Sequence, residues 1–154
     1  MHSILCCTLL GTIIPEFEPA AKYWLEIQVI EIENSKAKDV GSYRTSTSFK
    51  IPKEAKILAT HWHPIDARRP VSGSDGPHRL RSTVQFRRYG VESHHFEYTL
   101  EYITGQGRDQ FTHEANASVD LEPGNCHAFG CLEFGRPNGS NWKRLFTVTL
   151  HRVK

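Results

Sequence analysis

The stretch KILATHWHPID, residues 56–66, sets two histidines two positions apart at the end of an apolar run, with Asp66 three residues further on. On an extended strand such residues share a face and stand about 6.5–7 Å apart. Two imidazoles at that spacing can converge on one metal ion. A pair alone is a poor site for most metals, so a third ligand is required. His127 in EPGNCHAFG, His113 and the Asp66 carboxylate are the candidates, in a chain that carries nine histidines. Other catalytic patterns are missing from the sequence. There is no G-x-S-x-G and no glycine-rich phosphate loop between strand and helix. Cys126 and His127 are adjacent, and neighbours on a strand point to opposite faces, so a thiol–imidazole pair is not expected there.

Two other stretches offer binding chemistry. HPIDARRPVSGSDGPH has no periodicity and is longer than an idle connection of roughly 12–15 residues needs to be. Within it the loop 64–78 carries Asp66, Arg68 and Asp75, and Trp62 borders it. GRPNGSNW, the loop 135–142, carries Arg136, Asn141 and Trp142. An aromatic face for the apolar side of a sugar ring, with Asn, Asp and Arg to bond its hydroxyls, is what a saccharide site requires.

The elements that must position these residues are strands. YWLEIQVIEI alternates with period two, placing Tyr23, Leu25, Ile27 and Val29 on one side. The phase then slips, which predicts a bulge near Val29–Ile30 or a second buried face. RLRSTVQFR and HHFEYTLEYI alternate on either side of a turn through Gly90. They predict an antiparallel hairpin, 79–88 with 94–103, that buries Leu80, Val84, Phe86, Phe96, Tyr98 and Leu100. Arg81 then lies across from Glu101, and Arg87 near His95 or Glu97. Further strands are expected in 42–51, 56–62, 111–121, 127–134 and the C-terminal WKRLFTVTLHRV. Glycine, proline, asparagine and serine punctuate them. The count of about eight, each with one apolar face, predicts an all-β antiparallel two-sheet β-sandwich or jelly roll.

Composition narrows the partners. A net charge of +2, from 19 basic and 17 acidic residues without a basic stripe, argues against nucleic acid. No apolar run reaches the ~20 residues of a membrane helix. Residues 1–21 are read as a signal peptide or an N-terminal strand, because Ile4–Ile14 is uncharged and apolar but lacks a basic flank and a clean cleavage site. Residues 22–154 are then one β-sandwich domain. Cys126 and Cys131 are the only cysteines beyond that segment, and Asn116 and Asn138 both begin glycosylation tripeptides. Together these point to a secreted glycoprotein with a Cys126–Cys131 disulfide, provided the chain turns near Gly130.

The His61-x-His63 pair, with Gly124 and His127 in G-x-x-H spacing, resembles the metal-binding pattern of the cupin family. Asp66 stands where the family has glutamate, and Pro123 falls one place late. That resemblance implies a jelly-roll enzyme holding a divalent transition metal on His61, His63 and His127. The strand and loop pattern from 42 to 121 is similar to that of H-type lectins. The residues themselves favour a cofactor-free, lectin-like module over an enzyme. Its partner would be a glycan or glycoprotein surface, bound through Trp62, Asp66, Arg68, Asp75, Arg136, Asn141 and Trp142.

Overall fold

The structure is a computed structural model and describes residues 22–33, 48–67, 69–89 and 93–153. Eight strands follow one another: β1 (Lys22–Glu33), β2 (Lys56–Pro64), β3 (Val71–Asp75), β4 (His78–Tyr89), β5 (Ser93–Thr104), β6 (Phe111–Leu121), β7 (Cys126–Gly135) and β8 (Asn141–Val153). They make two four-stranded antiparallel sheets, β2-β1-β8-β7 (sheet A) and β3-β4-β5-β6 (sheet B). Of the two arrangements the alternation predicts, the sandwich is the one formed. Each ladder joins consecutive strands, except that β8 returns to pair with β1. The order is therefore up-and-down, without the Greek keys of a jelly roll.

Period-two alternation fills the space between the sheets. Leu25, Ile27 and Val29 of β1, with Phe146, Val148 and Leu150 of β8, meet Leu80, Val84, Phe96, Leu100 and Tyr102 of sheet B. The predicted hairpin forms in the predicted register, with Arg81 opposite Glu101 and Arg87 opposite His95. Leu80, Val84, Phe96, Tyr98 and Leu100 are buried, and Phe86 is partly so. A slip of one residue would bury the arginines, and so the pattern holds the register.

Of the two outcomes that the phase slip on β1 predicts, the second buried face is the one formed, and no bulge restores a single apolar face. The β1–β2 register shifts between Val29 and Ile30, while the β1–β8 register runs on unbroken. Ile30 and Ile32 therefore leave the main core and form a second cluster with Leu145, packed against Phe49, Ile51, Ala55 and Cys131. Glu31 takes the inward position instead.

Three expectations are corrected. The stretch 64–78 is not one open loop: β2 ends at Pro64 in sheet A, and Val71–Asp75 pairs with β4 as an edge strand of sheet B. Serine and glycine in VSGSD hid it from a count of apolar residues. Cys126 and Cys131 form no disulfide. The strand does not fold back at Gly130 but continues through a bulge between Phe129 and Leu132, which keeps the thiols apart along it. Of the strand expected over 42–51, residues 48–51 lie outside the sheets, and 42–47 lie outside the described residues, as do 1–21.

Each lateral edge of the sandwich closes where a glycine admits a close approach. A Cβ on Gly73 of β3 would stand 2.8 Å from His61 Nδ1 on β2. A Cβ on Gly130 of β7 would stand 2.5 Å from the Ala115 Cβ on β6, and its φ of 65° is one that side chains disfavour. His61 is buried and has no room to give. Gly73→Ala should therefore cost about 1–3 kcal/mol, whereas Ser72→Ala, on the exposed side of the same strand, should stay within about 0.5 kcal/mol. Urea denaturation of the two variants checks the difference.

Candidate functional site

The histidine pair of β2 faces inward. His61 and His63 lie opposite Ile27 and Leu25, and their rings are 6.3 Å apart. Both nitrogens that could reach a common ligand meet one hydroxyl instead. Ser82 Oγ of β4 is 3.0 Å from His61 Nε2 and 2.7 Å from His63 Nδ1. A hydroxyl has one proton to donate, so one imidazole must accept and the other donate. His63 Nε2 is buried without a partner. A bare acceptor is easier to bury than an orphaned N–H. We therefore assign the Nδ1–H of His63 as donor to Ser82, and the Ser82 O–H as donor to His61. Burial holds His61 below its ordinary pKa; burial, and then the His61 charge, brings His63 down to about 4.

His127 does not join this pair. Its Nδ1 is 2.6 Å from the Tyr98 hydroxyl, its ring stacks on Phe129, and burial lowers its pKa. His113 packs on Phe146, where burial and then Arg144 hold its pKa down against a backbone bond to Gly130. No group of three His, Cys, Asp or Glu able to hold a metal forms among the described residues. The ligand set that the cupin resemblance implies is thus not assembled, because each imidazole is engaged by a core hydroxyl. Asp66 is exposed in the turn after Pro64.

The other expected residues separate into two places. Arg136, Asn141 and Trp142 lie where β7 turns into β8. The guanidinium of Arg136 covers the Trp142 ring at 3.9 Å and bonds Glu31 at 2.7 Å. Glu31 also holds Arg144, whose guanidinium lies 5.1–5.4 Å from the rings of Tyr102, Phe111 and Phe134. This buried carboxylate with two arginines plugs one end of the sandwich. The turn is satisfied internally, Trp142 Nε1 donating to Ser140 Oγ and Ser140 Oγ to Asn138 Oδ1. Asn141 is exposed as the first residue of β8, opposite Gly135. Asp75 pairs with His78 in β3, and Arg68 lies outside the described residues.

Trp62 lies on the opposite side of β2 from the histidine pair, on the outer face of sheet A, near the other end. It stays 47% exposed. Its ring leans across β1 to within 5.1 Å of the His151 ring on β8. Beneath that contact the ladders align Cys126, Thr149, Glu26 and Trp62 in one row across four strands, with Trp24 between Pro64 and His151 in the next. The Glu26 carboxylate is held on both oxygens, by Gln28 Nε2 at 3.0 Å and His151 Nε2 at 2.9 Å. Val153, also exposed, extends the same corner. Among the described side chains sheet B has nothing comparable: there the outward positions of β4, β5 and β6 carry no Trp, Tyr or Phe. Sequence reasoning found Trp62 and missed Trp24, Glu26, Gln28 and His151. The signal was present as the polar half of the alternation in YWLEIQVIEI, but that half is read by default as solvated.

The class defined so far is an all-β protein of two antiparallel sheets with an aromatic, carboxylate-bearing patch on one outer face. Comparison with family models, with curated proteins and with solved structures finds no match.

Two consequences are measurable. The folded pKa values of His61, His63, His113 and His127 lie below the ordinary 6.5, so on acidification the unfolded chain takes up protons first. Stability contributed by these neutral rings is complete above about pH 6.5 and is lost as the pH falls toward about 4. The urea midpoint should drop between pH 7.5 and pH 5, and His63→Leu should make that drop shallower. At the plugged end, Arg144→Leu leaves Glu31 buried with a single, more exposed partner. It should cost about 3 kcal/mol or more, while Arg136→Leu costs less, as denaturation at fixed pH would report.

Proposed function

We propose that this protein is a saccharide-binding module, and that its ligand sits on the outer face of sheet A over Trp62. The observation that carries the reading is the exposed Trp62 ring, steadied by His151, beside a carboxylate held by two donors. An exposed indole is costly to leave in water and is a natural platform for the C–H face of a sugar ring. The Glu26 oxygens each retain acceptor capacity for hydroxyls of the same ligand. Rigid strands rather than loops position every one of these groups, which limits the ordering needed on binding.

Secretion belongs to the same reading. Asn116 and Asn138, the two glycosylation acceptors, are both exposed. Asp66, past the Pro64–Trp24 pairing, is close enough in the chain to border a longer ligand. The Arg136–Trp142 turn, at the other end, belongs to a different surface and would not touch the same sugar.

The test is a saccharide panel read by calorimetry or by tryptophan fluorescence. Trp62→Ala should weaken binding by on the order of tenfold or more, with a melting temperature close to that of the parent. Trp142→Ala should leave affinity unchanged. If no saccharide binds the parent, or if Trp142→Ala abolishes binding and Trp62→Ala does not, the reading is wrong.

A further inference from the structure

Resting on the saccharide reading, the character of the patch narrows the ligand. Its donors and acceptors are unevenly distributed. The central group, Glu26, accepts only. The neighbouring donors, Gln28 Nε2 and His151 Nε2, already point at its oxygens. Around it stand Trp24, Trp62, Thr149 and Val153. Among the described side chains of this face no arginine or lysine approaches Glu26. Lys143 is six residues before Thr149 on β8, about 20 Å away along the strand, and is paired with Glu133.

We infer that the site selects neutral, hydroxyl-donating saccharides and rejects acidic ones, with Glu26 as the residue that sets this specificity. Each Glu26 oxygen spends one lone pair on a protein donor, leaving room for one ligand hydroxyl apiece. Two neighbouring hydroxyls of a pyranose can occupy both oxygens while the ring lies on Trp62. A uronate, sialate or sulfate brings a second anion to within a few ångströms of a half-buried carboxylate, and among the described side chains of this face the one basic group beside it, the His151 ring, is already bonded to Glu26. Like charges brought that close discriminate strongly against the wrong partner. Gln28 and His151 act through Glu26 by holding its carboxylate in place.

The experiment compares neutral gluco- and manno-oligosaccharides with galacturonate oligomers and sulfated oligosaccharides of matched length, on the parent protein and on Glu26→Gln. The parent is expected to bind a neutral oligomer at least tenfold more tightly than every acidic one. Glu26→Gln should lose affinity for the neutral ligand while the neutral-to-acidic ratio falls toward one. Parent protein that binds acidic oligomers as well as neutral ones overturns this inference and leaves the Trp62 platform standing. An unchanged ratio in Glu26→Gln overturns the role of Glu26. Parent protein that binds no saccharide of either kind removes the underlying reading as well. The parent comparison needs no variant, so the inference stays testable even if Glu26→Gln folds poorly.

Discussion

One hydroxyl, Ser82 Oγ, joins the two sheets along the β2–β3 edge, and the arrangement of that side of the molecule follows from it. The group satisfies His61 and His63 together, which lets sheet A bring two polar rings into an apolar interior. Removing such a hydroxyl would strand buried polar atoms at a cost of about 1–3 kcal/mol for each. The contact also brings β3 onto His61, where only Gly73 fits. With both histidines facing inward, the residue between them must face outward. Trp62 is therefore presented on the surface by the same alternation that seats the clasp.

Imidazoles recur across this interior in the same manner. His127 leans on the Tyr98 hydroxyl, His78 on that of Tyr102, and His113 on Phe146. What reads in the sequence as a generous supply of metal ligands is, for these residues, packing material with one polar edge satisfied. For His61, His63, His113 and His127, whose burial lowers the pKa, such a ring is stable only while it stays neutral. The core and its sensitivity to acid thus have one cause.

Much of the architecture was legible because alternation is a local signal. The β4–β5 hairpin could be drawn residue by residue, since a misplaced register would have buried arginines. The second buried face of β1 was visible as a phase slip at Val29–Ile30. The short strand Val71–Asp75 was not, because its sequence VSGSD carries no apolar face and owes its place to pairing with β4. The disulfide expectation failed for a related reason: Gly130 looked like a turn, and its conformational freedom is used for a bulge that brings β7 against β6. The candidate site was half legible. Trp62 stood out beside an apolar run, but its partners arrive from β1 and β8. A contact such as Glu26 with His151 spans most of the chain, and no local pattern announces it.

The geometry gives a direct way to ask whether the Trp62 face is where a ligand sits. The chain has three tryptophans. Trp24 and Trp62 share the outer face of sheet A, and Trp142 lies at the far turn under Arg136. Their indole N–H groups give separate signals in a nitrogen–proton correlation spectrum. On titration with a neutral oligosaccharide, the Trp62 signal should move with dose, with a smaller response at Trp24 and none at Trp142. Movement confined to Trp142, or no movement of any indole across a broad saccharide panel, would contradict the account.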